Sequence, residues 1–79
     1  MQKTDNELID QIINETDRQE QGFLIQRYFD QNRNMFLLMD NISKKYNSKV
    51  NLSIDNDNEV NLEWCQNSSS FNNLLILRK

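Results

Sequence analysis

Two short runs of the same alternating pattern flank a polar tetrapeptide, and they constrain the fold of this chain more than any other feature. Val50, Leu52 and Ile54 alternate with Asn51, Ser53 and Asp55; Val60, Leu62 and Trp64 alternate with Asn61, Glu63 and Cys65. A period of two sends successive side chains to opposite faces, so each run reads as a half-buried strand. Asp55-Asn56-Asp57-Asn58 joins them, and these residue types tolerate left-handed backbone and form Asx turns. A three-residue loop over Asn56, Asp57 and Asn58 pairs Ile54 with Val60, Leu52 with Leu62 and Val50 with Trp64. A two-residue loop would set Ile54 against Glu59. The first register gathers every apolar side chain on one face, and Trp64 is expected to anchor the core there, opposite Val50.

Upstream the period is helical. Thr4 and Glu7 have the spacing of a capping box, and Leu8, Ile9, Ile12 and Ile13 form a narrow apolar stripe, which predicts a first helix over about residues 5–19 with a break near Gly22, the only glycine. From Phe23 to Tyr46 apolar residues recur with helical period, predicting one long helix. The segment Asp30-Gln31-Asn32-Arg33-Asn34 has poor helix propensity and could split it. After a polar turn over Gln66–Ser70, a third strand is expected over about 71–78. Its Leu74-Leu75-Ile76-Leu77 run does not alternate, so it should be covered on both faces or be the place where a partner docks. The expected architecture is α+β: two helices, the second long, followed by a three-stranded antiparallel β-meander packed on the long helix, all in one small domain over residues 1–79.

Composition narrows function by exclusion. The chain has 79 residues, no histidine, no proline and one cysteine, so the usual materials of nucleophile activation, zinc binding and proton shuttling are missing. Cys65 has no histidine to activate it and reads as a packed or edge thiol. Ser68-Ser69-Ser70 reads as turn. Asp55, Asp57 and Glu59 resemble the opening of a calcium loop, but Val60 stands where glycine is needed and Gln66 where a bidentate glutamate is needed. No catalytic, cofactor-binding or metal-binding residues are expected. A single thiol allows no internal disulfide, and no apolar run approaches the roughly 18 residues of a membrane span; the expected location is cytoplasmic.

Charge is blocked along the chain. Residues 1–43 carry eight acids and four bases, 44–54 three lysines, and 55–63 four acids and no base; Arg78 and Lys79 close the chain, for a net charge of −3. Asp55, Asp57, Glu59 and Glu63 therefore make the hairpin acidic, and they are the expected contacts for a partner protein with a basic surface. Met35, Phe36, Leu37, Leu38 and Met39 are consecutive apolar residues that point all round a helix, more than one small sheet can cover, so they are expected to support self-association as a homodimer. The first functional expectation is a non-enzymatic protein-binding module, a small inhibitor or regulator with the size and charge of phage anti-defence proteins, immunity proteins or antitoxins. The alternative is a winged-helix-like DNA-binding regulator in which Arg33, Lys44, Lys45 and Lys49 meet phosphates. The acidic balance and acidic wing argue against nucleic acid.

Overall fold

The computed structural model describes residues 3–65 and 72–79. Three helices, α1 (Asp5–Ile13), α2 (Arg18–Asp30) and α3 (Met35–Tyr46), precede three strands, β1 (Val50–Ile54), β2 (Val60–Cys65) and β3 (Asn72–Leu77). The strands form one antiparallel sheet in the order β1-β2-β3. The α+β class is as expected, whereas the helices differ. The predicted turn over Gln66–Ser70 and the start of the third strand at Phe71 lie outside the described residues.

α1 begins where the capping box put it: the Glu7 N–H donates to Thr4 Oγ1 at 3.2 Å, and Glu7 Oε1 accepts from the Thr4 N–H. It ends at Ile13, earlier than expected. Asp17 then starts α2 by accepting the Glu20 N–H at 3.0 Å, so the polar stretch before Gly22 opens a helix instead of closing one. Gly22 lies inside α2, where a Cβ would meet Leu75 Cδ1 at 3.4 Å. The single long helix of the sequence reading is two helices. Asn32 takes a left-handed φ of 57° after α2, and Asn34 caps α3 by accepting the Leu37 N–H at 3.1 Å. Asn47, also left-handed, ends α3.

The hairpin has the expected register: Val50 opposite Trp64, Leu52 opposite Leu62, Ile54 opposite Val60. Its loop closes as a three-residue turn, with Asn58 at φ 62° and the Asp55 N–H donating to the Glu59 carbonyl. One apolar cluster joins Ile9 and Ile12 of α1, Ile25 and Tyr28 of α2, Leu38 and Ile42 of α3, and Leu62, Trp64 and Leu77 of the sheet. α2 meets β3, α3 meets β1, and α1 packs on the other two helices. Helices therefore cover one face of the sheet only. No helix among the described residues is long and apolar enough to cross a membrane.

Two buried polar contacts lock the helices. Gln21, nearly buried, donates to the Ile12 carbonyl at 2.9 Å and to Tyr46 Oη at 3.3 Å, so one amide ties the end of α1 to the end of α3. Tyr28 Oη donates to the Asn34 carbonyl at 2.6 Å across the α2–α3 turn. Burial, and then the charge of Asp5, push the Tyr28 phenol from the usual 10 up to about 12, against the opposing pull of Arg33. The neutral phenol is the form the fold prefers. Its contribution is complete below pH 10 and is lost as pH rises from 10 to about 12, because the unfolded chain ionises first. A loss of roughly 2 to 3 kcal/mol over that window is expected. Urea titrations at stepped pH check this, and Tyr28→Phe should flatten the alkaline slope.

Candidate functional site

The acidic hairpin is more neutralised than its sequence suggests. Asp55 is half-buried, and its Oδ1 accepts the N–H groups of Asp57 at 2.9 Å and Glu59 at 3.0 Å, so this carboxylate builds the turn. Glu59 is ion-paired with Arg78 at the end of β3. That bond is the main reason the Arg78 guanidinium is held above its usual range, with the Asp55 charge a lesser one. Carboxylate oxygens of Asp55, Asp57 and Glu59 lie within 4.8 Å of one another, a convergence that the turn itself produces. Asp57 is left exposed at the tip. Glu63 sits further along β2, half-buried on the face away from the helices, flanked by Asn51 of β1 and Leu74 of β3. The four acids thus divide into two with structural partners and two open to solvent contact. Mutual repulsion among the four is correspondingly smaller than their spacing along the chain alone implies.

The run Met35–Met39 does not form a single exposed surface. Leu38 is fully buried, and Met35, Leu37 and Met39 are half-buried against the core. α1 reaches α3 as well as α2 and covers much of what a lone sheet would have left open. Only Phe36, 75% exposed, remains as a large outward apolar side chain of this run.

A further exposed apolar surface lies on β3. Leu75 and Leu77 face the helices, and Leu77 is fully buried. Leu74 and Ile76 face away from them and are 58% and 45% exposed. The non-alternating run marked this strand for covering on both faces or for docking, and the structure covers one face.

The cations proposed for phosphate contact are partly engaged. Arg33 Nη1 is 2.9 Å from Asp5 and its Nε donates to Gln31, while Lys44 pairs with Asp40 at 3.0 Å one helical turn away. Arg33 nevertheless borders a cleft of about 820 Å³ between α1 and α2, with Lys3 and Arg27 on its rim and Leu8 and Leu24 in its walls. Sequence reasoning missed this cleft, and it also missed Gln21 and Gln26. Asp17 and Glu20 have the cap-and-third-residue spacing that would have started α2 in the right place and put Gln21 on its inner face. Cys65 is half-buried at the end of β2, on the same outward face as Glu63. The chain matches no protein-family model, no curated protein and no solved structure.

Proposed function

We propose that the protein is a non-enzymatic binding module that acts on another protein, as a small inhibitor or regulator, through the hairpin tip and the outward face of the sheet behind it. The observation that supports this is the composition of that face. Asp57 at the tip and Glu63 on β2 lie on the same hairpin, and Glu63 is directly beside the exposed Leu74. An apolar centre edged by unneutralised carboxylates suits a partner surface that offers apolar contact ringed by lysine or arginine. Anti-defence, immunity and antitoxin roles are the forms of inhibition this size and charge fit, in the cytoplasm.

Capture of the partner followed by charge reversal tests the reading. Asp57→Lys combined with Glu63→Lys should leave Tm nearly unchanged and slow association by about tenfold at low salt, with a smaller effect as salt rises. Unaltered association kinetics would remove the hairpin from the interface.

One observation favours the second reading, a winged-helix-like DNA regulator: the split at Gln31–Asn34 gives three helices before the hairpin, as that layout requires. The outward stripe of α3 holds Phe36, Asp40 and Lys44, with Lys44 already paired to Asp40. A carboxylate at its centre opposes phosphate. Binding of nonspecific duplex at low salt would promote this reading, and its absence would retire it.

A further inference from the structure

The direction of the β3 backbone follows from two independent sets of hydrogen bonds. At the hairpin, Asp55 gives its N–H to Glu59, so Glu59 and the residues two and four further along β2 turn their backbone groups toward β1. Val60, Leu62 and Trp64 then turn theirs toward Leu77, Leu75 and Asn73 of β3. By the same alternation, the N–H and C=O groups of Asn72, Leu74 and Ile76 point away from β2. Arg78, next in that outward row, confirms the direction: its N–H donates to Gln26 Oε1 at 3.2 Å and its carbonyl accepts from Gln26 Nε2 at 2.7 Å. A side-chain amide of α2 thus takes the place of a neighbouring strand at Arg78. Leu74 and Ile76 have no such partner among the described residues.

An open edge of this kind is usually protected by charge, proline or a bulge. Asn72–Leu77 has no charged residue and no proline, and pairs with β2 residue for residue. Its outward side chains are the exposed Leu74 and Ile76.

We propose that the β3 edge pairs antiparallel with β3 of a second copy about a two-fold axis at Leu74, joining the two sheets into one. The Gln26 clamp sets the register. A partner strand must end before Arg78, where the Gln26 amide already occupies the strand position, so the open row runs from Asn72 to Ile76 with Leu74 at its centre. Leu74 then faces the partner's Leu74, and Ile76 faces the partner's Asn72, each outward residue giving and accepting a bond across the axis. A second copy suits this edge because one association sets both exposed Leu74–Ile76 pairs side by side across the new strand pair, on a sheet face that itself stays open. It also opposes no like charges, since no residue from Asn72 to Leu77 is ionised. Antiparallel pairing sends the two acidic hairpins to opposite ends of the joined sheet, where two chains of net charge −3 repel least.

Amide exchange by NMR on the full chain, diluted from about 1 mM to about 10 μM beside light scattering, tests the proposal. The interface is small, so dissociation on dilution is expected. The Leu74 and Ile76 amides should be about tenfold or more better protected at the concentrated end, while those of Leu75 and Leu77, bonded to β2, should follow dilution far less. Leu74→Lys and Ile76→Lys should be monomeric with an unchanged circular dichroism spectrum, and Phe36→Glu should still dimerise. A monomer at every concentration overturns the proposal. So does a dimer whose Leu74 and Ile76 amides exchange freely, and so does one lost in Phe36→Glu but kept in Leu74→Lys, which would place the contact on α3. Should a lysine variant fail to fold, the exchange pattern of the unaltered chain decides alone.

Discussion

Replacing Trp64 with alanine is expected to destabilise the protein by ~3 to 5 kcal/mol, much of the stability available to a domain of this size. Trp64 is only 5% exposed, on the central strand between Val50 of β1 and Asn73 of β3, and is part of the apolar cluster shared with all three helices. No other side chain of the sheet has comparable volume. Its indole N–H has no hydrogen-bond partner among the described residues. Part of what the ring contributes by packing is therefore offset by an unsatisfied donor, and Trp64→Phe should cost clearly less than Trp64→Ala. Urea midpoints of the two variants measure the difference. A Trp64→Ala protein that melts within a few degrees of the unaltered chain would mean that the ring does not lie in the core.

The run Met35–Met39 gives the second large effect, and its value lies in contrast. Leu38→Ala should cost ~2 to 5 kcal/mol, because the side chain is fully enclosed by the helices and sheet and its removal leaves a cavity. Phe36→Ala, two residues earlier, should change stability by no more than about 0.5 kcal/mol, since the ring is 75% exposed. Equilibrium unfolding of the two variants side by side checks this. Equal effects would show that α3 is rotated from the position described here.

What could be read from the sequence was the part governed by local rules. Alternation at Val50–Ile54 and Val60–Trp64, with a turn made of aspartate and asparagine, gave the hairpin register correctly, because a slip of one residue would move the whole apolar set to the wrong face. The Thr4–Glu7 cap was equally local. The helix boundaries were harder to place for a definite reason. α2 and α3 bury their apolar stripes in the same core, so the helical period runs on across Gln31–Asn34 as if the helix did. Glycine adopts positive φ freely and so reads as a helix stop at Gly22, yet the chain assigns that role to asparagines and uses Gly22 inside α2, close to Leu75.

In the candidate site, the charges of Asp55, Asp57, Glu59 and Glu63 were plain from the sequence, but their availability was not. Whether Glu59 is free depends on Arg78, 19 residues away and brought near only by the pairing of β3 with β2. The exposure of Leu74 and Ile76 depends on how many layers the chain builds. A sheet covered on one face and a sheet covered on both can share the same uninterrupted apolar strand.

All three left-handed residues described are asparagines, Asn32, Asn47 and Asn58, and each ends or turns an element: α2, α3 and the hairpin loop. This gives the chain an uneven tolerance to mutation. At these joints an ordinary L-residue costs roughly 1 to 2 kcal/mol in backbone strain, while glycine or aspartate fits with little penalty. Asn51 and Asn61, on the outward face of the sheet, carry no such backbone requirement. Sequence drift that is harmless on that face would, at three positions, loosen the angles between helices and hairpin and so displace every surface those elements present to a partner.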